Sequence, residues 1–322
     1  MKRFLFVLLV LFIGLYIAAC WYFSNLILHP PQGDPMKRAE VMSTMVGTGA
    51  ERVHPWVSVP DTFSILGAGN KRIKAWHFKA AETKCGIILA HGWSGYRVDM
   101  NKYMPLFESC GCDFVTYDHR GHNQSDDALA TGGILEAEDL LDLTDWLQEK
   151  TGLPDEQMGW LGISWGGATV LQAGGSDENV GFIVSDSPFQ NWYSAVLERA
   201  IRDYGSWIKA FVPGIKLTVK LRAGVNFDQA SALEQAANID EPVLLIHSKA
   251  DSATASSQSV NIAAALNTKN SIFQHTDFGN DHAKDISNNP EEFKAYVQDF
   301  MAKYVPDFGA CGVQQDSSTV LQ

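Results

Sequence analysis

Gly162-Ile163-Ser164-Trp165-Gly166 sets a serine between two glycines, where an apolar run (158–163) gives way to a stretch that reads as helix (165–173). A serine hydroxyl is a poor nucleophile near neutral pH, so this position does chemistry only with a base beside it and an acid to orient the base. A serine held on a sharp turn between strand and helix also needs flanking residues without side chains, and glycine supplies that on both sides. In a chain with 27 glycines the five-residue pattern alone is weak. Its place between strand and helix is what carries the reading; the bland alternative is a glycine-rich turn.

In this strand–turn–helix setting the expected chain order is serine, acid, histidine, each at the exit of a strand. His247, His275 and His282 are the histidines downstream of Ser164. The first two fall inside apolar strand patterns and read as satisfied core histidines. His282 lies in Phe278-Gly279-Asn280-Asp281-His282, a loop past the last strand, and is the expected base. Asp251, four residues beyond the run 242–247, is the expected acid, with Asp186 as its rival at the preceding strand exit. Asp281 adjoins His282 in sequence, is poorly placed to orient that ring, and reads as a loop carboxylate. Charge developing on a carbonyl oxygen needs two backbone N–H donors. Trp165, directly after the serine, offers one, and Trp93 in His91-Gly92-Trp93, after the run 86–90, is expected to offer the other. Both tryptophan side chains read equally as pocket wall or as core.

Short apolar runs bounded by turn residues (86–90, 113–117, 158–163, 180–185, 242–247 and 271–275) have the length of buried strands. Residues 62–66 and 72–78 flank Gly67-Ala68-Gly69-Asn70 and predict an antiparallel hairpin. Helical stretches separate most runs; the clearest, 134–150, aligns Leu140, Leu143 and Leu147 on one face and stops at Gly152. Alternation of this kind predicts a mostly parallel sheet with helices on both faces. More than 50 residues separate the runs at 180 and 242, too many for a structureless loop, and they include Trp192, Tyr193, Tyr204, Trp207 and Phe211. Between 197 and 222, six basic residues stand against two acidic ones, in a chain of net charge −12. That reads as a solvated helical cap, or more sharply as a lid that leans on an anionic membrane or draws in an acidic substrate.

Taken in order, His91-Gly92-Trp93, Tyr117-Asp118-His119-Arg120-Gly121-His122, the serine elbow, Asp186-Ser187-Pro188-Phe189, Pro242-Val243-Leu244-Leu245-Ile246-His247 and Asp251 through His282 resemble the α/β-hydrolase superfamily over about residues 60–305. The nearest likeness is to membrane-anchored bacterial members with a helical cap between the sixth and seventh strands. The resemblance implies an α/β-hydrolase fold: a mostly parallel eight-stranded sheet, helices on both faces and a cap insertion at about 188–240. It implies Ser164 as nucleophile, His282 as base, Asp251 as acid, and the Trp93 and Trp165 amides as oxyanion hole. One departure stands out: the family often reads R-G-x-G-x-S where this chain has Arg120-Gly121-His122-Asn123-Gln124-Ser125. Asparagine tolerates positive φ nearly as glycine does, so the turn is expected to survive.

The acidic balance disfavours a nucleic-acid binder, and 46% apolar residues supply a core. No H-E-x-x-H, C-x-x-C, P-loop or dinucleotide glycine pattern occurs, so no metal and no cofactor is expected. Lys2 and Arg3 precede twenty uncharged residues, 4–23, the length of a membrane span with the N-terminus on the cytoplasmic side. Apolar residues continuing past Cys20 favour an uncleaved anchor; Ile17-Ala18-Ala19-Cys20 resembles a lipobox and makes a lipoprotein the alternative, with ordinary signal cleavage third. Each exports the domain. The organisation expected is an anchor or signal at 1–30, a hydrolase domain at 31–308 and a polar tail at 309–322. Export permits disulfides: Cys85 and Cys112 each lie six residues before a strand exit, so a Cys85–Cys112 bridge is one reading, Cys110 a rival partner, and free buried thiols another. The expected function is cleavage of a small-molecule or lipid-like carboxylic ester, with a medium-chain acyl or aromatic group suggested by the aromatic cap. The alternatives are a peptidase or amidase, a non-catalytic binding protein on the same fold, or a tethered protein whose cap docks a partner.

Overall fold

The apolar runs become β3 (Cys85–Ala90), β4 (Cys112–Tyr117), β5 (Met158–Ile163), β6 (Phe182–Asp186), β7 (Val243–Ser248) and β8 (Ser271–Thr276), and the hairpin becomes β1 (Asp61–Gly67) and β2 (Lys71–Phe78). The computed structural model describes residues 1–31, 54–176 and 179–311. The eight strands form one sheet in the order β1-β2-β4-β3-β5-β6-β7-β8. From β4 to β8 every pairing is parallel, whereas β1–β2 and β2–β4 are antiparallel, so the sheet is mixed at one edge. β1 to β4 each start one residue earlier than the sequence reading, and two strands start later. β6 begins at Phe182 because Gly181 still belongs to the turn, its N–H bonded to the Met158 carbonyl at 2.7 Å. β7 begins after Pro242, which has no N–H to give a ladder. β8 is half-buried rather than buried, as befits the free edge.

Alternate residues of the central strands feed two cores, the period-2 signature of a sheet covered on both faces. Ile88 and Ala90 of β3 pack with Leu140, Leu143 and Leu147 of α2 (Ile134–Thr151), with Val170 and Leu171 of α3 (Trp165–Gly174) and with Ile262 further along the chain. Ile87 and Leu89 face the other way, onto a 3₁₀ helix (Arg97–Phe107) and onto Phe293, Val297 and Phe300 near the C-terminus. The helix α2 starts where the buried Glu136 carboxylate accepts from the Thr131 and Gly133 amides, and it stops at left-handed Gly152. Between β6 and β7 the chain forms the helical insertion: α4 (Trp192–Tyr204), a 3₁₀ turn (Ser206–Phe211), α5 (Val212–Ala223) and the short α6 (Ala232–Ala236). Beyond β7 come α7 (Ser257–Ala265), α8 (Asp285–Asn288) and α9 (Pro290–Tyr304). At the other end a single helix, α1, covers Lys2–Leu28, long and apolar enough to cross a membrane.

Cys85 and Cys112 face each other in the β3–β4 register and are joined by a disulfide. Cys110, expected as a rival partner, instead bridges Cys311 across 201 residues of sequence. Residues 309–311, expected in the tail, are therefore held to the domain, with the Ala310 amide on the Cys110 carbonyl at 2.8 Å. The rest of the tail, 312–322, and the segment 32–53 lie outside the described residues. Cys20 is the free cysteine, and it is buried. Alkylation of the unfolded chain should therefore add one group without reductant and five after reduction, read by intact mass. Three adducts without reductant would remove one of the two bridges.

Candidate active site

Ser164 sits at φ 53°, ψ −109°, a left-handed backbone that non-glycine residues rarely adopt. The turn is tight enough to need both neighbours bare. A Cβ on Gly162 would collide with the Gly166 carbonyl, and one on Gly166 with the carbonyl of Ala90 in β3. The Ser164 N–H is fixed on the Asp186 carbonyl at 2.7 Å. Its hydroxyl is thereby raised at the C-terminal edge of the sheet, just before α3.

Three of the residues expected from sequence meet there. His282 Nε2 lies 2.8 Å from Ser164 Oγ, and His282 Nδ1 lies 2.5 Å from Asp251 Oδ2. The imidazole is about a quarter exposed, the Asp251 side chain not at all. Asp251 fills both oxygens: Oδ1 accepts from the amides of Ala253 (2.9 Å) and Thr254 (2.8 Å), and Oδ2 from His282 and His247 (2.9 Å). Burial alone would raise its pKa. Hydrogen bonds from His247 and His282 outweigh it and hold the carboxyl well below the usual carboxylate range. Such a line of groups can draw a proton from the hydroxyl and leave the resulting imidazolium facing a fixed negative charge.

The rival acids are engaged elsewhere. Asp186 accepts from the Tyr103 hydroxyl at 2.7 Å and from Ser187, and burial raises its pKa. Asp281 accepts from the Ser252 amide and hydroxyl, as a loop carboxylate does. His275 bonds Ser256. His247 is buried as expected, but it is more than a core histidine: Nδ1 meets Ser259 at 2.7 Å while Nε2 faces Asp251. Sequence reasoning missed that role. The signal was the spacing of four residues from His247 to Asp251, which a loop curling back over the strand end converts into contact.

Trp93 and Trp165 pack against each other, ring centroids 4.8 Å apart, and both line a cavity of about 820 Å³ that reaches Ser164 and His282. The Trp165 amide opens α3, where first-turn N–H groups have no helical partner. Trp93 precedes Ser94, at φ 61°. The far wall comes from α4 and α5, with Tyr193 and Ile215 among its residues, and from the end of α1. Among the described residues no group of three His, Cys, Asp or Glu side chains is arranged to hold a metal ion.

Residues 101–307 match the prolyl oligopeptidase family of serine peptidases. The chain belongs to that family. It is thus a serine hydrolase of the α/β-hydrolase superfamily. It is 28% identical over 246 residues to the uncharacterized protein YqkD of Bacillus subtilis, covering 74% of this chain and 78% of that one. Among solved structures, the Pyrococcus furiosus esterase Pf2001 superposes with a TM-score of 0.65 at 18% identity, covering 86% of this chain and 98% of the esterase. The acylaminoacyl peptidase of Pyrococcus horikoshii superposes with a TM-score of 0.59 at 21% identity, covering 81% of this chain but 42% of the peptidase.

Behind the Trp93 loop, His91, His119 and His122 lie ring to ring, with centroids 4.5 to 5.9 Å apart. His91 is neutral by geometry, because its Nε2 accepts the His119 amide while Nδ1 donates to the Gly92 carbonyl. Burial lowers all three pKa values, His91 to about 4, His122 to about 3 and His119 well below the usual range. Unfolded histidines titrate near 6.5, so below that pH these three side chains bind more protons in the unfolded chain than in the native one. The stability these residues confer is present above pH 6.5 and is lost as pH falls toward 4. Denaturant titrations across that window should show His122→Gln losing less unfolding free energy with falling pH than wild type, a slope difference of up to about one proton. An unchanged slope would remove His122 from the account.

Proposed function

We propose that the chain hydrolyses carboxylic esters through an acyl-enzyme on Ser164. His282 takes the hydroxyl proton as Ser164 Oγ bonds to the ester carbonyl carbon, and Asp251 stabilises the imidazolium. The Trp93 and Trp165 amides hold the oxyanion, aided by the N-terminal dipole of α3. His282 then protonates the departing alkoxide, which leaves as alcohol. A water attacks the acyl carbon, passes its proton to His282, and releases the carboxylate and Ser164. The observation that carries this reading is the run Ser164 Oγ, His282, Asp251, at 2.8 and 2.5 Å, opening onto a mostly apolar cavity.

An ester is favoured because the cavity walls are mostly apolar, with Trp, Tyr, Ile and Leu that offer an acyl chain burial. Similarity along nearly the whole of an esterase supports the same reading. A peptidase or amidase remains the second reading, favoured by the family and by the acylaminoacyl peptidase likeness. The two disulfides support export to an oxidising compartment. The Cys20 thiol, 2% exposed and wedged beside Gly214, supports an uncleaved anchor over a lipoprotein, since a diacylglyceryl group has no room there.

Labelling with a fluorophosphonate tests the reading. Wild type should label and Ser164→Ala should not, with ester turnover down about 10⁶-fold. Asp251→Asn should cost about 10⁴-fold in kcat through the wrong imidazole tautomer. Asp186→Asn should stay far closer to wild type; a loss as deep as that of Asp251→Asn would move the acid to Asp186.

A further inference from the structure

Only the first half of α1 is free of the domain. Residues 1–15 are exposed throughout, whereas from Tyr16 onward a stripe at helical spacing (Tyr16, Cys20, Phe23 and Ser24, Ile27 and Leu28) turns inward. It packs on the insertion. Tyr16 stacks on Phe211 at 5.1 Å and donates its hydroxyl to the Ala210 carbonyl; Phe23 meets Tyr204, Trp207 and Phe211 edge-on. A side chain at Gly214 would strike the Cys20 and Tyr16 side chains, so these two residues of α1 rest directly on the bare backbone of α5. Arg222 closes the seam, bonded to Ser24 at 2.9 Å and Asn25 at 3.1 Å, with its guanidinium 4.4 Å over Trp21.

Length then decides where the insertion sits. The charges of Lys2 and Arg3 bound the apolar run, so its free part, 4–15, spans about 18 Å at 1.5 Å per residue, against a hydrocarbon core of about 30 Å. The missing 12 Å or so correspond to about eight further residues, 16–23, the stretch already docked on the insertion. Tilt widens the deficit. The insertion must therefore share the membrane's upper layer, at the depth of an interfacial amphipathic helix. Its surface suits that place. Trp207 (57%), Leu217 (58%) and Leu221 (77%) are exposed, flanked by exposed Lys209 and Lys220. Apolar and aromatic side chains with lysines beside them are what an anionic lipid surface accepts. The same turns of α1 reach the chemistry: Phe23, Leu26 and Ile27 line the cavity that holds Ser164 and His282.

We propose that the cavity is loaded from the bilayer: α1 is both anchor and cavity wall, the insertion is seated in the lipid interface, and the substrate is an ester-linked membrane lipid. This rests on the ester-hydrolase reading above and names its substrate class. An acyl chain leaving the bilayer along α1 would reach Ser164 without crossing water.

The test uses the full chain in vesicles of phosphatidylglycerol and phosphatidylcholine. It compares hydrolysis of long-chain diacylglycerol in that bilayer with hydrolysis of soluble p-nitrophenyl butyrate. The variant carries Leu217→Gln and Leu221→Gln, both exposed and neither lining the cavity. Diacylglycerol turnover should fall at least about tenfold, and butyrate turnover, which also reports folding, should stay within about twofold. Leu26→Trp, which narrows the cavity from the α1 side, should shift preference toward shorter acyl chains. Equal effects of the double variant on both substrates, or a wild type that cleaves the butyrate but no bilayer lipid, would overturn bilayer loading. An unchanged chain-length profile in Leu26→Trp would overturn α1 as a wall. A wild type that cleaves neither ester would instead sink the ester-hydrolase reading itself.

Discussion

A serine held at positive φ between a strand and a helix is the constraint on which the site depends. Its cost is of the order of 1–3 kcal/mol and is met only where the surroundings over-determine the turn. Here they do: Gly162 and Gly166 let strand, helix and β3 close to backbone contact, and the Asp186 carbonyl holds the Ser164 amide. The strain belongs to the Cβ, which alanine also has. Removing the hydroxyl therefore leaves the elbow's shape, and its effect on rate reads the chemistry rather than the fold. The same currency is spent around the rim. Ser94, Ser187 and Ala283, all non-glycine and all at positive φ, directly follow Trp93, Asp186 and His282. Asn123 adopts the turn expected of it, at φ 47°. Four strand exits are thus bent sharply toward one point.

The proposed acid is the second fixed element. Four hydrogen bonds to one carboxylate leave Asp251 no freedom to turn away from His282, and the buried His247 behind it is held in turn by Ser259. The insertion is tied to this loop as well, with Arg202 donating to the Ser252 and Ala253 carbonyls. The cavity wall and the carboxylate proposed to orient His282 are therefore one connected piece.

What was legible in the sequence follows from range. The strands, the elbow glycines and the order Ser164, Asp251, His282 are local or ordinal features, and the hydrophobic period and the turn residues encode them directly. The bridge from Cys110 to Cys311 was not, because its partners lie 201 residues apart and only the tertiary path brings them together. His247 looked like core because it is core; its second contact depends on how the following loop folds back. The histidine cluster behind Trp93 joins residues from two strand exits, and nothing in either segment alone announces the other.

The dual nature of α1 was hidden for a different reason. Amphipathicity is visible when one face is polar, but a helix that meets lipid on one side and protein on the other is apolar all round. What distinguishes its two faces is size and shape: Cys20 sits opposite Gly214 of α5, and Ser24, one turn on, meets Arg222 near the end of the same helix. Small residues at such spacing let helices approach closely in an apolar medium, where close packing rather than hydrophobicity drives contact. A hydropathy profile averages that stripe away and reports a plain anchor. Only the geometry of the docked insertion divides the helix at Tyr16 into a free half and a structural half, and the second half belongs to the walls of the site.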